Sequence, residues 1–507
     1  MSFDAHRLDL VIGIVGTGAM GRGIVQIAAQ AGIATRLYDA KPGAALEARV
    51  AVGEMLAKLA AKGKLSEDQV ARAMASMVVV DHLPGLSDCH LVVEAIVEKL
   101  DVKQALFREL ESLVAPETIL ATNTSSLSVA AIAQACQRPE RVAGWHFFNP
   151  VPLMKIVEVI GAQRTAPWVT EGLTELAKRV GHQAVSTADM PGFLVNHAGR
   201  AYGPEALRLV AEGVSDFATL DRILRDGAGF RQGPFELYDM TGLDVSQAVM
   251  ESIYEQFYHE PRYRPTALGR ARVQAGLFGR KNGQGFYRYE GGQKQEPPEP
   301  PVPTPAQLPP IWVMPGPDRE LVAGMALAGG APIDDGAQPG PQSLCLVTPL
   351  GHDTTTACQM LKLDGRRTVA LDTLMGLDRR RTIMGTPITD PAYRNAAHAV
   401  LAAGGVPVSV IHDCPGFVIP RIVANIVNVA CDIAQQRIAK PDDIDRAVML
   451  GLGYPKGPLA WGDAIGPMRV LAILAALFSF YADPRFRPSP WLIRRARLGV
   501  SLLTPEG

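Results

Sequence analysis

An apolar run from Leu10 to Val15 passes directly into Gly16-Thr17-Gly18-Ala19-Met20-Gly21-Arg22-Gly23 and then into the apolar stretch Ile24 to Ala29. By its period this is a buried strand, a glycine turn and a helix. The first glycine permits the tight turn, the second lets a diphosphate approach the backbone, and the third brings helix against strand. The unpaired N–H groups of the helix start then face the anion. Gly16, Gly18, Met20 and Gly21 are therefore expected to line a dinucleotide. A second strand, Ala34 to Tyr38, ends at Asp39, eighteen residues after Gly21. A carboxylate there would accept both ribose hydroxyls and repel a 2′-phosphate, which favours NAD over NADP. The alternative for Asp39 is a turn or helix-cap residue.

At 507 residues the chain exceeds what one hydrophobic core usually organises, so two to four domains are expected. The 50 Lys and Arg nearly cancel the 51 Asp and Glu, so no global field argues for nucleic acid or an anionic membrane as partner. The six cysteines show no CxxC spacing and lie in mostly apolar surroundings. That argues against a metal site or a disulfide framework and fits a reducing cytoplasm. No apolar signal core opens the chain, and the apolar run Val470 to Ala482 is too short to span a bilayer, so no membrane partner is expected.

Leu91 to Val97 reads as the next buried strand, with Glu98 and Lys103 at the start of the following helix, where strand ends face a ligand crevice. Ile119 to Thr122 is another strand, after which Asn123-Thr124-Ser125-Ser126-Leu127-Ser128 opens a helix to about Cys136. Its serines are good caps, and a hydroxyl at a strand end also reaches a ligand. The stretch Val142 to Ile160 carries a combination built for proton transfer. His146 ends an apolar run, Asn149-Pro150-Val151-Pro152 forces a turn, and Glu158 interrupts a second strand-like run twelve residues after the histidine. Two strands joined by that turn would set the carboxylate beside the ring, fix its tautomer and raise basicity at the other nitrogen, as a general base near neutral pH requires. The alternative is a core histidine and an edge-strand charge. Between Leu46 and Gln69, Lys58 and Lys62 lie one turn apart on a helix face, placed for phosphates or simply solvated.

From Pro191-Gly192-Phe193 onward the period is helical to about residue 290, and Asn196 falls in the first turns as a capping amide or a ligand contact. Gly291 to Pro310 holds eight prolines and no apolar period, an extended linker. Beyond it, a shift of 224 residues lays the second half on the first without gaps: Pro191-Gly192-Phe193 on Pro415-Gly416-Phe417, Asp221-Arg222 on Asp445-Arg446, Gly233-Pro234 on Gly457-Pro458. Such residues set turns and caps, so the helical fold should recur. The same shift puts Ala370, Thr373, Thr382 and Pro420 where His146, Asn149, Glu158 and Asn196 stand, and no second glycine loop follows Ile311 to Val313. A copy that keeps its turns but drops those polar residues marks them as functional. The expected architecture is an α/β Rossmann domain (1–188), an all-α domain (189–290), the linker (291–310), a degenerate Rossmann-like remnant (311–411) and a second all-α domain (412–507). One active site per chain follows.

The segments Gly16 to Gly23, Val92-Val-Glu-Ala-Ile-Val-Glu98, Asn123-Thr-Ser-Ser126, His146-Phe-Phe-Asn-Pro150 and Pro191-Gly-Phe-Leu-Val-Asn196 occur in the order of the L-3-hydroxyacyl-CoA dehydrogenase family. The chain resembles that family's long tandem form, whose members include enzymes acting on 3-hydroxyadipyl-CoA or 3-hydroxybutyryl-CoA. The resemblance implies reversible, NAD-linked oxidation of an L-3-hydroxyacyl-CoA thioester to 3-oxoacyl-CoA in fatty-acid or aromatic-acid catabolism. It implies that His146 takes the 3-hydroxyl proton, Glu158 holds the imidazole, Ser125 and Asn196 bond the reacting oxygen or the thioester carbonyl, and Asn149 places ring and cofactor. It carries Asp39, Glu98, Lys103 and Ser125 over as NAD contacts, and Lys62 with Lys58 as coenzyme A phosphate ligands, although Met55 replaces the family's nearby serine. Shorter relatives dimerise through the helical domain, so Asp413 to Leu503 is expected to pack on residues 190–290 as a built-in partner, with a homodimer left open. Competing readings are a dehydrogenase of free 3-hydroxy acids and a non-catalytic NAD-binding structural protein. Arg485, Arg487, Arg494, Arg495 and Arg497 read as a solvated surface rather than a receptor for a substrate carboxylate.

Overall fold

The computed structural model describes residues 3–506. It divides into two compact units, Met1–His197 with Gln436–Leu452 and Ala198–Gln435 with Gly453–Gly507. The first unit extends past residue 188 and takes in Gln436–Leu452 from the second helical copy, while the remaining segments share the second unit.

Eight strands build the first unit: β1 (Val11–Val15), β2 (Ala34–Tyr38), β3 (Met77–Val79), β4 (Leu91–Glu94), β5 (Ile119–Thr122), β6 (Val142–Phe147), β7 (Ile156–Gly161) and β8 (Gln183–Ala188). Their spatial order is β3-β2-β1-β4-β5-β6-β7-β8. Strands β1 to β6 run parallel, β7 is antiparallel to β6, and β8 is parallel to β7. Alternation along each strand fills a core on either face. Leu91, Val93, Ile119 and Ala121 meet Ile24 and Val25 of the helix Ala19–Gln30 and Leu173 and Leu176 of the helix Pro167–Arg179. Val92, Leu120 and Val142 meet Phe107 and Leu110 of the helix Leu100–Leu113. Each of these Val, Leu, Ile and Phe side chains contributes roughly 1.5–3 kcal/mol on burial.

Two elements depart from the sequence pattern. Strand β4 stops at Glu94 rather than Val97, because the carboxylate turns back and accepts from Ile96 N at 2.7 Å. The helix expected from Asn123 to Cys136 spans only Val129–Ala133. Ser128 is its cap, accepting from Ala131 N at 3.2 Å, which leaves Asn123 to Ser126 as a loop. Within this unit the helix Pro441–Leu452 packs on β7 and β8, and Ala188 N donates to Ile438 O at 2.8 Å.

In the second unit, a hairpin of β9 (Arg288–Glu290) and β10 (Gln293–Gln295) occupies the start of the proline-rich segment expected to be an extended linker. The segment is also pinned: Glu296 accepts from Arg222 Nε at 3.0 Å and Glu299 from Arg380 Nη2 at 2.7 Å. The sheet of this unit runs β11 (Ile311–Val313), β12 (Leu344–Val347), β13 (Thr368–Leu371), β14 (Arg381–Gly385) and β15 (Val408–Ile411), with only β13–β14 antiparallel. That reproduces the order and directions of β4 to β8. Among the described residues this unit has no counterpart of β1 to β3, the part that bears the glycine loop. Register differs too, since Ala370 faces Met384, two residues beyond Thr382, whereas His146 faces Glu158. An even slip leaves every side chain on its own face, so the hydrophobic pattern survives it.

The helical copies pack on one another inside the second unit. Arg421, on the buried helix Ile419–Gln435, donates to Glu205 at 2.6 Å and to Glu212 at 2.7 Å, and Arg262 pairs with Asp432 at 3.0 Å. Burial opposes the charge of Glu205, yet Arg421, Arg485 and Arg208 pull its carboxyl down to about 2. The solvated-surface reading of the C-terminal arginines is therefore wrong for two of them. Arg485 lies 3.4 Å from Glu205, and Arg495 stacks 3.2 Å above the Trp491 ring, its chain end gripping Thr504 O. Among the described residues no single helix is long and apolar enough to cross a membrane. Pro458–Ile465 and Pro467–Tyr481 pass that test only as a pair and meet at 95°.

Candidate active site

In β6, Ala143, Trp145 and Phe147 enter the core on one face of the sheet, as Val157 and Val159 do in β7. Alternation sends His146 and Glu158 to the other face, and the antiparallel register sets them directly opposite. Nδ1 of His146 lies 2.5 Å from Oε2 of Glu158. Glu158 is fully buried, and its Oε1 accepts from Leu194 N at 3.0 Å and Val195 N at 2.8 Å, where the helix Val195–Ala198 begins. A carboxylate held on both oxygens cannot swing away. It takes the Nδ1–H, so the neutral ring keeps its lone pair on Nε2. Phe148 and Phe193, with centroids 4.6 and 5.8 Å from the imidazole, fix the ring plane.

His146 lines a cleft of about 340 Å³, so it is not simply a satisfied core histidine. Met20, Glu98, Lys103, Ser125, Asn149 and Asn196, all singled out from sequence, line the same cleft. Asn123 was missed. Its Oδ1 accepts from Phe147 N at 2.9 Å and ties the ends of β5 and β6 together beside the histidine. An amide placed just after a strand was the available signal.

The glycine loop separates into structural and ligand-directed positions. Gly16 has φ +90°, and a Cβ there would stand 2.6 Å from the Ala95 carbonyl oxygen; at Gly21 it would stand 1.9 Å from that of Gly16. At Gly18 it would meet nothing within 4 Å, so no protein neighbour requires that glycine. The helix Ala19–Gln30 begins at Gly18 without a side-chain cap, leaving its first N–H groups for an anion. These features fit the diphosphate of NAD. Asp39, at the end of β2, also braces the loop: its Oδ2 accepts from Thr17 N at 2.7 Å and Thr17 Oγ1 at 2.8 Å, and its Oδ1 from Lys41 N at 2.9 Å. Partial burial opposes its charge, but these donors outweigh it and lower its pKa. The turn-residue alternative is thus part of what Asp39 does, with accepting capacity left on Oδ1.

Glu98 organises the Asn123–Ser126 loop. It accepts from Thr124 Oγ1 at 2.6 Å, Ser125 N at 2.9 Å and Ser126 Oγ at 3.0 Å, with Ser125 Oγ at 3.4 Å. Burial raises its pKa, but these bonds and the charge of Lys103 lower it further. Lys103 is itself buried, its Nζ 2.5 Å from Glu94 and 3.2 Å from Glu98. Its ammonium is therefore committed to two carboxylates and orders Glu98. Glu94, which the sequence showed only as part of a strand and of the family segment, also accepts from Thr122 Oγ1 at 2.7 Å. Its signal was an acid inside an apolar strand nine residues before a lysine. Lys58 and Lys62 lie exposed at the end of the helix Ala44–Ala61 and do not line the cleft. Among the described residues no cluster of three His, Cys, Asp or Glu could hold a metal ion.

Residues 11–190 match the family model for the 3-hydroxyacyl-CoA dehydrogenase NAD binding domain, and residues 192–289 and 416–501 both match that for the 3-hydroxyacyl-CoA dehydrogenase C-terminal domain. The 3-hydroxyadipyl-CoA dehydrogenase of Escherichia coli (strain K12) is 36% identical over 494 residues, covering 96% of this chain and 97% of its own. Human mitochondrial hydroxyacyl-coenzyme A dehydrogenase is 38% identical over 283 residues, 55% of this chain and 90% of that one. A crystal structure of 3-hydroxybutyryl-CoA dehydrogenase from Escherichia coli K12 has a TM-score of 0.85 at 36% identity, covering 96% of this chain and 98% of that one.

Proposed function

Because the chain belongs to the 3-hydroxyacyl-CoA dehydrogenase family, a family of NAD-dependent oxidoreductases, we propose that it oxidises an L-3-hydroxyacyl-CoA thioester reversibly to 3-oxoacyl-CoA with His146 as general base. Bound NAD supplies the hydride acceptor. The rest falls to the protein. Nε2 of His146 takes the proton of the 3-hydroxyl group, and the positive charge that develops on the ring is met by Glu158 across the 2.5 Å contact at Nδ1. Ser125 and Asn196, in the same cleft, bond the reacting oxygen or the thioester carbonyl, and Asn149 places the ring against the cofactor. Asp39 and Glu98 serve the cofactor as loop braces and ribose-side acceptors. Lys58 and Lys62 receive coenzyme A phosphates from outside the cleft.

The observation that carries this reading is the buried Glu158, fastened at one oxygen by two backbone N–H groups while its other oxygen meets His146. The relative that matches almost the whole chain is named for 3-hydroxyadipyl-CoA. A dicarboxylic acyl-CoA from aromatic-acid breakdown is therefore our first substrate, beside 3-hydroxybutyryl-CoA from fatty-acid breakdown. Six free, buried cysteines support a reducing, cytoplasmic setting. The test is NADH formation from L-3-hydroxyadipyl-CoA, L-3-hydroxybutyryl-CoA and the corresponding free acids. Turnover of a thioester with the free acids inert is expected. Equal turnover of the free acids would transfer the reading to a free-acid dehydrogenase, and NADH binding without any turnover would make the protein structural.

A further inference from the structure

The second unit holds a cavity of about 620 Å³ where the segments leaving β11, β12 and β13 converge, at the carboxyl ends of its strands. It stands in its sheet where the catalytic cleft stands in the first. Pro349, Asp372, Thr373 and Pro420 line it, and the 224-residue shift equates them with Ser125, Phe148, Asn149 and Asn196 of the cleft. Met314 and Pro315 follow β11 as Ala95 and Ile96 follow β4. The duplicate has therefore lost its glycine loop, histidine and glutamate yet kept the hollow that they served. A mostly apolar hollow with a few convergent polar groups, at the carboxyl ends of parallel strands, has the form of a small-molecule site.

Its chemistry has been rebuilt around one group. Asp372 is 5% exposed, and its Oδ1 accepts from Leu374 N at 2.9 Å, while its Oδ2 is buried with no hydrogen-bond partner. Burial pushes this carboxyl up to about 7, against the lowering effects of the Leu374 N–H and the Arg469 charge. Near neutral pH it thus spends much of its time as an acid that can both donate and accept. Leu350, Met360, Leu361 and Leu374 make the surrounding wall apolar. The other ionisable residues facing the hollow are Asp318, whose carboxylate already accepts from Thr373 Oγ1 at 2.6 Å, His352 and Arg469. Their signs are mixed, so neither an anionic nor a cationic head is selected.

We propose that this cavity is a second ligand site, which takes a largely aliphatic, uncharged molecule whose single hydroxyl or primary amide group hydrogen-bonds the carboxyl group of Asp372. The test is calorimetric titration of the full-length protein with octanamide and 1-octanol, with octanoate as the charged control. At pH 8, above the value of about 7 to which burial raises Asp372, saturable 1:1 binding of octanamide or octanol is expected, at least about tenfold tighter than octanoate, because the carboxyl is then mostly ionised and repels a second carboxylate. Asp372→Asn, which still donates and accepts, should retain binding, and Asp372→Leu should weaken it about tenfold or more. Should Asp372→Leu fail to fold, Leu350→Trp fills the hollow and should abolish binding by sterics instead. Saturating NAD with acetoacetyl-CoA, two oxidised partners that cannot exchange a hydride, should leave the titration unchanged, which separates this site from the first unit's cleft. The proposal is overturned if neither probe binds saturably, if binding survives both Asp372→Leu and Leu350→Trp, or if the nucleotide and thioester displace the probe.

Discussion

Replacing Glu158 by glutamine changes one oxygen to an amide nitrogen and leaves the volume alone, so the reasoning about the base can be tested without disturbing the core. Oε1 accepts two backbone N–H groups, from Leu194 and Val195 at 3.0 and 2.8 Å, so the glutamine must keep its carbonyl oxygen there. Its NH2 then faces Nδ1 of His146, which sits 2.5 Å from the acid in the native pair. An NH2 group donates, so Nδ1 must accept, and the ring's own proton moves to Nε2. The nitrogen that should receive the substrate proton then carries one. The wrong tautomer together with the lost stabilisation of the imidazolium predicts a fall in turnover of about 10²–10⁴-fold. Stability should drop by only about 1–3 kcal/mol, the worth of one hydrogen bond to a charged group. Steady-state NADH formation, NADH titration by fluorescence and thermal unfolding measure the three quantities. Glu158→Gln turning over within about threefold of wild type while folded and NADH-competent would refute the tautomer argument.

The glycines should separate by role. Gly18→Ala places a Cβ where no protein atom lies within 4 Å, at a backbone φ of −62° that alanine accepts, so unfolding should be unchanged while NADH affinity falls about tenfold or more. Gly21→Ala drives a Cβ to 1.9 Å from the Gly16 carbonyl oxygen and should cost about 1–3 kcal/mol in denaturant unfolding. Lys103→Met leaves Glu94 buried without its cation and should cost about 3–5 kcal/mol, with weaker NADH binding as the Glu98 loop loosens. For Asp372, a folded pKa raised from 3.8 to about 7 means that only the unfolded chain ionises between those values. Native stability is therefore lost as pH rises through that window. Asp372→Asn should be more stable than wild type near pH 7.5, by at most roughly 4 kcal/mol, and no more stable near pH 4, as denaturant curves at the two pH values would show.

Local signals in the sequence carried the glycine loop, the ends of β2 and β5, and the His146–Glu158 pair. A forced turn at Asn149-Pro150 between two apolar runs leaves few ways for the strands to return except side by side. Features set by long-range contact were not legible. The short helix after Ser128 depends on Glu98 capturing Thr124 to Ser126 from 26 to 28 residues away, whereas the end of β4 is set locally, by Glu94 accepting from Ile96 N, a side-chain bond that hydrophobic period does not register. Proline content made residues 291–310 look free, yet Arg222 and Arg380 hold them through glutamates whose partners no pattern could name. The 224-residue shift located the duplication but could not reveal that β13 and β14 slip by two, because an even slip leaves the hydrophobic alternation intact. Nor could composition distinguish Arg485 and Arg495, which pair or stack inside the fold, from their solvated neighbours.

The central claim, that His146 Nε2 removes the substrate proton, is tested most directly by the turnover of His146→Ala with L-3-hydroxybutyryl-CoA and NAD. That variant deletes the ring but leaves Gly18, Asp39 and Glu98 in place. The account predicts NADH binding close to wild type and turnover lower by on the order of 10²–10⁴-fold. Turnover near the wild-type rate in a protein that still binds NADH would contradict it.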